Sequence, residues 1–116
     1  MNYRSRLLRQ EVNELTDLLR HDKSWADLRQ ALEKKGLRVD KLLLVGFMEN
    51  ETGGEWGAVI TDALQIFEYR RNTSSKASNR FTRWREVTNV DELAEIFAAA
   101  KTGLKMARSV FKKKRS

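Results

Sequence analysis

The chain has no cysteine and no proline, one histidine (His21), and no hydrophobic run long enough to cross a bilayer. Without cysteine there is no disulfide framework, no thiolate nucleophile and no cysteine-ligated zinc. Without proline there are no proline-rich linkers and no cis-proline turns. A lone histidine argues against a transition-metal site. His21 beside Asp22 has the composition of a base with its orienting acid, but adjacent residues rarely face each other, so a solvated loop is the expectation. The first 16 residues lack the apolar centre of a signal peptide. These absences predict a cytoplasmic protein with no cofactor and no metal.

The composition is that of a globular protein: 116 residues, 41% hydrophobic and 34% charged. One α+β domain over 1–116 is expected, with 112–116 a frayed basic tail. The net charge of +7 is unevenly spread. Residues 1–95 hold 16 cations and 16 acids, so the surplus lies in the last 21 residues. There Lys101, Lys105, Arg108 and Lys112 recur at helical spacing beside an apolar stripe. A second acid-free stretch, 69–85, carries Arg70, Arg71, Lys76, Arg80, Arg83 and Arg85. Acids gather instead in ENETGGE, as Glu49, Glu51 and Glu55, read as a charged hairpin turn.

Apolar periodicity predicts an amphipathic helix over 4–20 and a second over 24–35. Ser24 and Asp27 are candidates for its capping box, and Gly36 for its end. The apolar run 41–48 reads as a strand buried on both faces. Strands over 56–61, 64–69 and 81–87 complete a four-stranded, mainly antiparallel meander, with "DA" as a tight connection between the second and third. The spacing of Phe81, Trp84 and Val87 leaves a helical turn open for the last. The stretch 71–80 reads as a polar loop. Thr88 or Asn89 caps a long C-terminal helix whose stripe runs from Val90 to Phe111, and Gly103 is expected to weaken it by about 1 kcal/mol. The helices are expected against one face of the sheet.

No sequence motif supplies a reaction. The loop TGGEWG lacks the lysine and following helix of a phosphate-binding loop. A restriction-endonuclease-type site would need an acid on one strand and Glu-x-Lys on the next. Glu55 or Asp62 could be the acid, and Glu68, Tyr69 and Arg70 the second element. Arginine in place of lysine is unsuited to proton transfer, so a non-enzymatic protein is the expectation.

Three partners fit the cationic segments: nucleic acid, an anionic membrane and an acidic protein. For nucleic acid, Trp84 would stack on bases while Arg80, Arg83, Arg85, Lys101, Lys105, Arg108 and Lys112 contact phosphate. For a membrane, Val110 and Phe111 would lie on lipid. For a protein, the contacts would be Glu49, Glu51, Glu55, Arg70, Arg71 and Lys76.

The stretch 39–72, VDKLLLVGFMENETGGEWGAVITDALQIFEYRRN, followed by FTRWREVTNVDEL, resembles small bacterial toxin-immunity proteins, the antidotes of contact-dependent inhibition and related systems. The likeness lies in a buried strand, an acidic turn, the strands holding GAVIT and FEY, and W-x-x-V-T before a final helix. It implies an inhibitor that covers a cognate toxin's active site.

Overall fold

The computed structural model describes residues 3–51, 53–72 and 81–112, with only the backbone of Lys112. The chain is α+β. Helices α1 (Tyr3–His21) and α2 (Ala26–Lys34) precede strands β1 (Leu42–Glu49), β2 (Gly54–Thr61), β3 (Ile66–Asn72) and β4 (Phe81–Val87). Helices α3 (Val90–Ala94) and α4 (Ala100–Lys112) follow. The strands pair in chain order as an antiparallel meander. No helix among the described residues is long and apolar enough to cross a membrane.

Helices lie on both faces of the sheet, not on one. On the first, Leu43, Val45, Ala58 and Ile60 pack with Phe97, Ala100, Ala107 and Phe111. On the second, Leu42, Leu44, Val59 and Tyr69 pack with Leu28 and Leu32 of α2. β1 alternates between these two cores, which is why its sequence is apolar without interruption. We call these the α4 face and the α2 face.

α1 runs along the outer edge of β1 and contributes to both cores, through Val12 on one side and Leu19 on the other. The edge would otherwise leave backbone groups unpaired. Leu44 N donates to Thr16 Oγ1 at 3.0 Å, and Arg20 Nη2 donates to Leu42 O at 3.1 Å. A helix thus stands in for a missing strand.

Local signals act largely as their chemistry requires, except that Ser24 does not cap α2: the helix begins after Trp25, which makes no side-chain cap bond, and Ser24 donates to Asp22. α2 ends at Gly36, with φ +87° and the paired bonds from Gly36 N to Glu33 O and from Leu37 N to Leu32 O. Asn89, the second of the two capping candidates, caps α3 by accepting from Asp91 N at 3.0 Å. Asp22 caps the turn before α2 by accepting from Ser24 N at 2.8 Å. Its bonds from Ser24, chiefly from the hydroxyl, lower the Asp22 pKa.

Two further features depart from expectation. β2 and β3 are joined not by "DA" but by residues 62–65, with Leu64 at φ 64° and Thr61 Oγ1 accepting from Ala63 N and Gln65 N. The C-terminal stripe is also divided, because the helix stops at Ala94 and restarts at Ala100. Phe97, in the break, packs against Gly46, where a Cβ would collide with its ring, and meets Trp56 edge-on at 5.4 Å. Gly103 lies so close to Val45 that a Cβ would overlap Val45 Cγ1.

Two stability measurements follow. Helix propensity alone predicts that Gly103→Ala gains stability. Overpacking against the branched Val45 reverses the sign, and urea unfolding should show a loss of about 1–3 kcal/mol. Leu64→Gly should gain about 1 kcal/mol, because Leu64 is 40% exposed and the left-handed backbone disfavours a side chain.

Candidate functional site

The turn after Thr61, closed by Thr61 N donating to Gln65 O at 2.9 Å, sets the β2–β3 register, which opposes Glu55 to Arg71, Trp56 to Arg70 and Ala58 to Glu68. Alternation sends Glu55, Tyr69 and Arg71 to the α2 face. Trp56, Glu68 and Arg70 go to the α4 face.

Glu55 is therefore no member of a solvated acidic turn. It is 4% exposed and accepts from Tyr69 Oη at 2.7 Å and from Arg71 Nε at 3.0 Å, while its other oxygen accepts from Arg71 Nη2 at 3.1 Å. Arg71, 6% exposed, is likewise turned inward. The tyrosine ring lies over Gly57, where a Cβ would come within 2.5 Å of the phenol oxygen. Burial raises the Tyr69 pKa well above its usual 10.0, and the charge and hydrogen bond of Glu55 push the same way. Of the residues expected to touch a protein partner, Glu49 and Glu51 at the hairpin and Arg70 are exposed. Lys76 lies outside the described residues.

On the α4 face, α4 crosses β1 and β2 and leaves the outer part of β3 and β4 uncovered. Two open clefts form there. One, of about 480 Å³, is lined by Trp56, Glu68, Arg70, Arg83, Arg85, Glu92 of α3, and Glu95 and Ile96 just after it. The other, of about 470 Å³, lies at the hairpin end and includes Met48, Glu49, Trp56, Arg70 and Thr82. Trp56 and Arg70 belong to both. The Arg70 guanidinium stands 4.5 Å from the Trp56 ring centre, within cation–π range. Among the described residues, nothing accepts from the buried Trp56 Nε1. Beneath them the Glu68 carboxylate, nearly fully buried, pairs with Arg85 at 3.1 Å and Arg83 at 3.7 Å.

The residues expected to bind nucleic acid do not share a surface. A bulge at Thr82 puts Phe81 and Trp84 together on the α2 face, which accounts for their spacing of three within a strand. There Trp84 stacks on Phe67 at 4.9 Å, and Lys35 lies 5.9 Å from its ring. Arg83 and Arg85 are on the α4 face. Lys101, Lys105 and Arg108 are exposed along α4, and Lys101 pairs with Asp91 at 2.6 Å. Arg80 and the Lys112 side chain lie outside the described residues, as do 113–116 of the expected tail. Phe111, expected on lipid, is 4% exposed and belongs to the core.

Nor does the endonuclease-type arrangement assemble. Glu55 and Glu68 are on opposite faces, and Asp62 is in the turn at the far end of β2. His21 is exposed at the end of α1, while Asp22 is bonded to Ser24. Among the described residues, no group of three acidic or histidine side chains is placed to hold a metal ion.

Sequence reasoning missed the Trp56–Arg70 pair and the Glu55–Tyr69–Arg71 network. The signal was the turn. With "DA" as the whole connection, pairing shifts out of register and neither set is brought together.

The network makes two predictions. Arg71→Met leaves the Glu55 carboxylate buried without its cation and should cost about 3–5 kcal/mol in urea unfolding. For Tyr69, the native state keeps a proton that the unfolded chain releases above pH 10.0. Its contribution is therefore fully present below that pH and falls as pH rises through the raised native pKa. Stability measured between about pH 9 and 11 should fall more steeply in the wild type than in Tyr69→Phe.

Comparison of the chain with protein-family models, with curated proteins and with solved structures finds no match.

Proposed function

We propose that this chain is a non-enzymatic binding protein whose partner is another protein. We further propose that it blocks that partner, as the toxin-immunity proteins it resembles over 39–95 block theirs. The observation that carries the first part is the Trp56–Arg70 pair where two clefts meet. Tryptophan and arginine are the side chains on which interface energy most often concentrates, especially between pockets a partner can fill. Exposed Met48 and Ile96, 44% and 45% accessible, give the two clefts apolar rims.

Charge also favours a protein over nucleic acid. The cleft beside α3 sets Arg70, Arg83 and Arg85 against Glu68, Glu92 and Glu95. A mixed lining suits the mixed surface of a protein. Binding a phosphate backbone needs a run of uncompensated cations. The aromatic Trp84 stands on the other face from Arg83 and Arg85, so the stacking platform expected for single-stranded nucleic acid is not supported.

A photo-reactive side chain at Met48, on the cleft rim, tests the reading in cells that express the chain with its neighbouring genes. It should cross-link to one protein, whereas the same group at Gln30, exposed on α2, should not. With that protein purified, Arg70→Ala should weaken binding by about 2 kcal/mol, roughly thirtyfold. Equal labelling from both positions would sink the proposal. So would an electrophoretic shift of DNA or RNA that collapses with salt while no protein is captured. The blocking role fails separately if the captured protein keeps its activity when saturated.

A further inference from the structure

The two edges of the sheet are finished differently. β1 is covered by α1, whose Thr16 and Arg20 bond its outward backbone groups. Beside β4, among the described residues, no strand or helix takes that place. After the bulge at Thr82, residues 83–87 run in regular register with β3. The outward N–H and C=O groups of that stretch form a template for one more strand.

We infer that β4 accepts an extended acidic segment of the partner protein as a fifth strand of the sheet. This deepens the protein-binding reading and rests on it. Charge decides the chemistry of the occupant. Arg83 and Arg85 share the single Glu68 carboxylate, at 3.7 and 3.1 Å. Among the described residues Arg70 pairs with no carboxylate, and neither Glu92 nor Glu95 forms an ion pair with an arginine. An added antiparallel strand places alternate side chains directly beside Arg83 and Arg85 on the α4 face, where acids are favoured. The side chains between them fall beside Trp84 on the α2 face, where apolar groups are favoured. The segment that fits alternates acidic and apolar residues.

The same arginines disfavour a second copy of this chain. Antiparallel self-pairing centred on Trp84 sets arginine opposite arginine, and like charges directly across a ladder destabilise it. The edge is blunted against itself while remaining open to a complementary strand.

The test uses the full chain and two synthetic peptides, one alternating Glu and Val and one alternating Lys and Val, each at millimolar concentration. Backbone hydrogen exchange is followed residue by residue. The Glu peptide should slow the outward amides of β4 by about tenfold or more, with protection falling as salt rises. The Lys peptide should leave them unchanged. Equal protection by both peptides, or none by either, overturns the inference. Once the cross-linked protein from Met48 is in hand, its complex gives a second readout. Protection of the β4 edge supports strand addition. Binding that covers Trp56 and leaves β4 amides exchanging freely refutes strand addition while the protein-binding reading stands. Failure to capture any protein removes the reading on which the inference rests.

Discussion

The pairing of β2 with β3 is the constraint on which the rest of the molecule depends. A slip of one residue would turn every side chain of β3 to the other face. Arg71 would leave Glu55, and Arg70 would leave Trp56. The turn at 62–65 prevents the slip by holding Leu64 in a left-handed conformation and folding Thr61 Oγ1 over two backbone N–H groups. The buried Glu55–Arg71 pair adds a second guard. Its desolvation offsets much of its Coulomb energy, so its part is to hold the register in which Glu55, Tyr69 and Arg71 come together.

That register divides chemistry between the faces. On the α2 face the Glu55–Arg71 pair is enclosed and satisfied, with the Tyr69 phenol and the Arg71 guanidinium both donating to Glu55. On the α4 face they remain open. Glu68 is buried, but its two arginines reach it from a half-exposed rim, and the third arginine lies on an aromatic ring. Surface ion pairs of this kind contribute little to stability. Arginines held by a fixed carboxylate and a fixed ring nonetheless have less freedom to lose when a partner binds, and that preorganisation favours recognition.

Where local chemistry decides the structure, the sequence was legible. The alternating apolar strands, the glycine ending α2, the asparagine capping α3 and the uninterrupted apolar run of β1 all act through neighbours within a few positions. What was hidden acts across the chain. Nothing between Glu95 and Ala99 breaks a helix by itself, and the break comes from Phe97 seating on Gly46 some fifty residues earlier. Gly103 looked like a defect because its neighbour Val45 is absent from any local window. The spacing of Phe81 and Trp84 looked half-helical because a bulge imitates a helical turn on one face of a strand. The candidate site was hidden for a related reason: Trp56 and Arg70 meet only if Thr61 lies opposite Gln65 and not Leu64.

Charge gives the same lesson at larger scale. Summed along the chain, the surplus sits at the C-terminal end, and α4 does carry exposed Lys101, Lys105 and Arg108. Yet the arrangement with the most geometric definition lies where the formal charges nearly cancel, around Glu68 on the α4 face. Net charge governs long-range attraction and the rate of encounter. It does not determine where a partner is held, because holding needs side chains fixed in position. The cations of α4 sit on one helix face, and Lys101 already has Asp91 beside it. The arginines of β3 and β4 are set by three paired strands and one buried carboxylate. A partner steered by the first group would be gripped by the second, which is why the proposed site is placed on the sheet rather than on the basic helix.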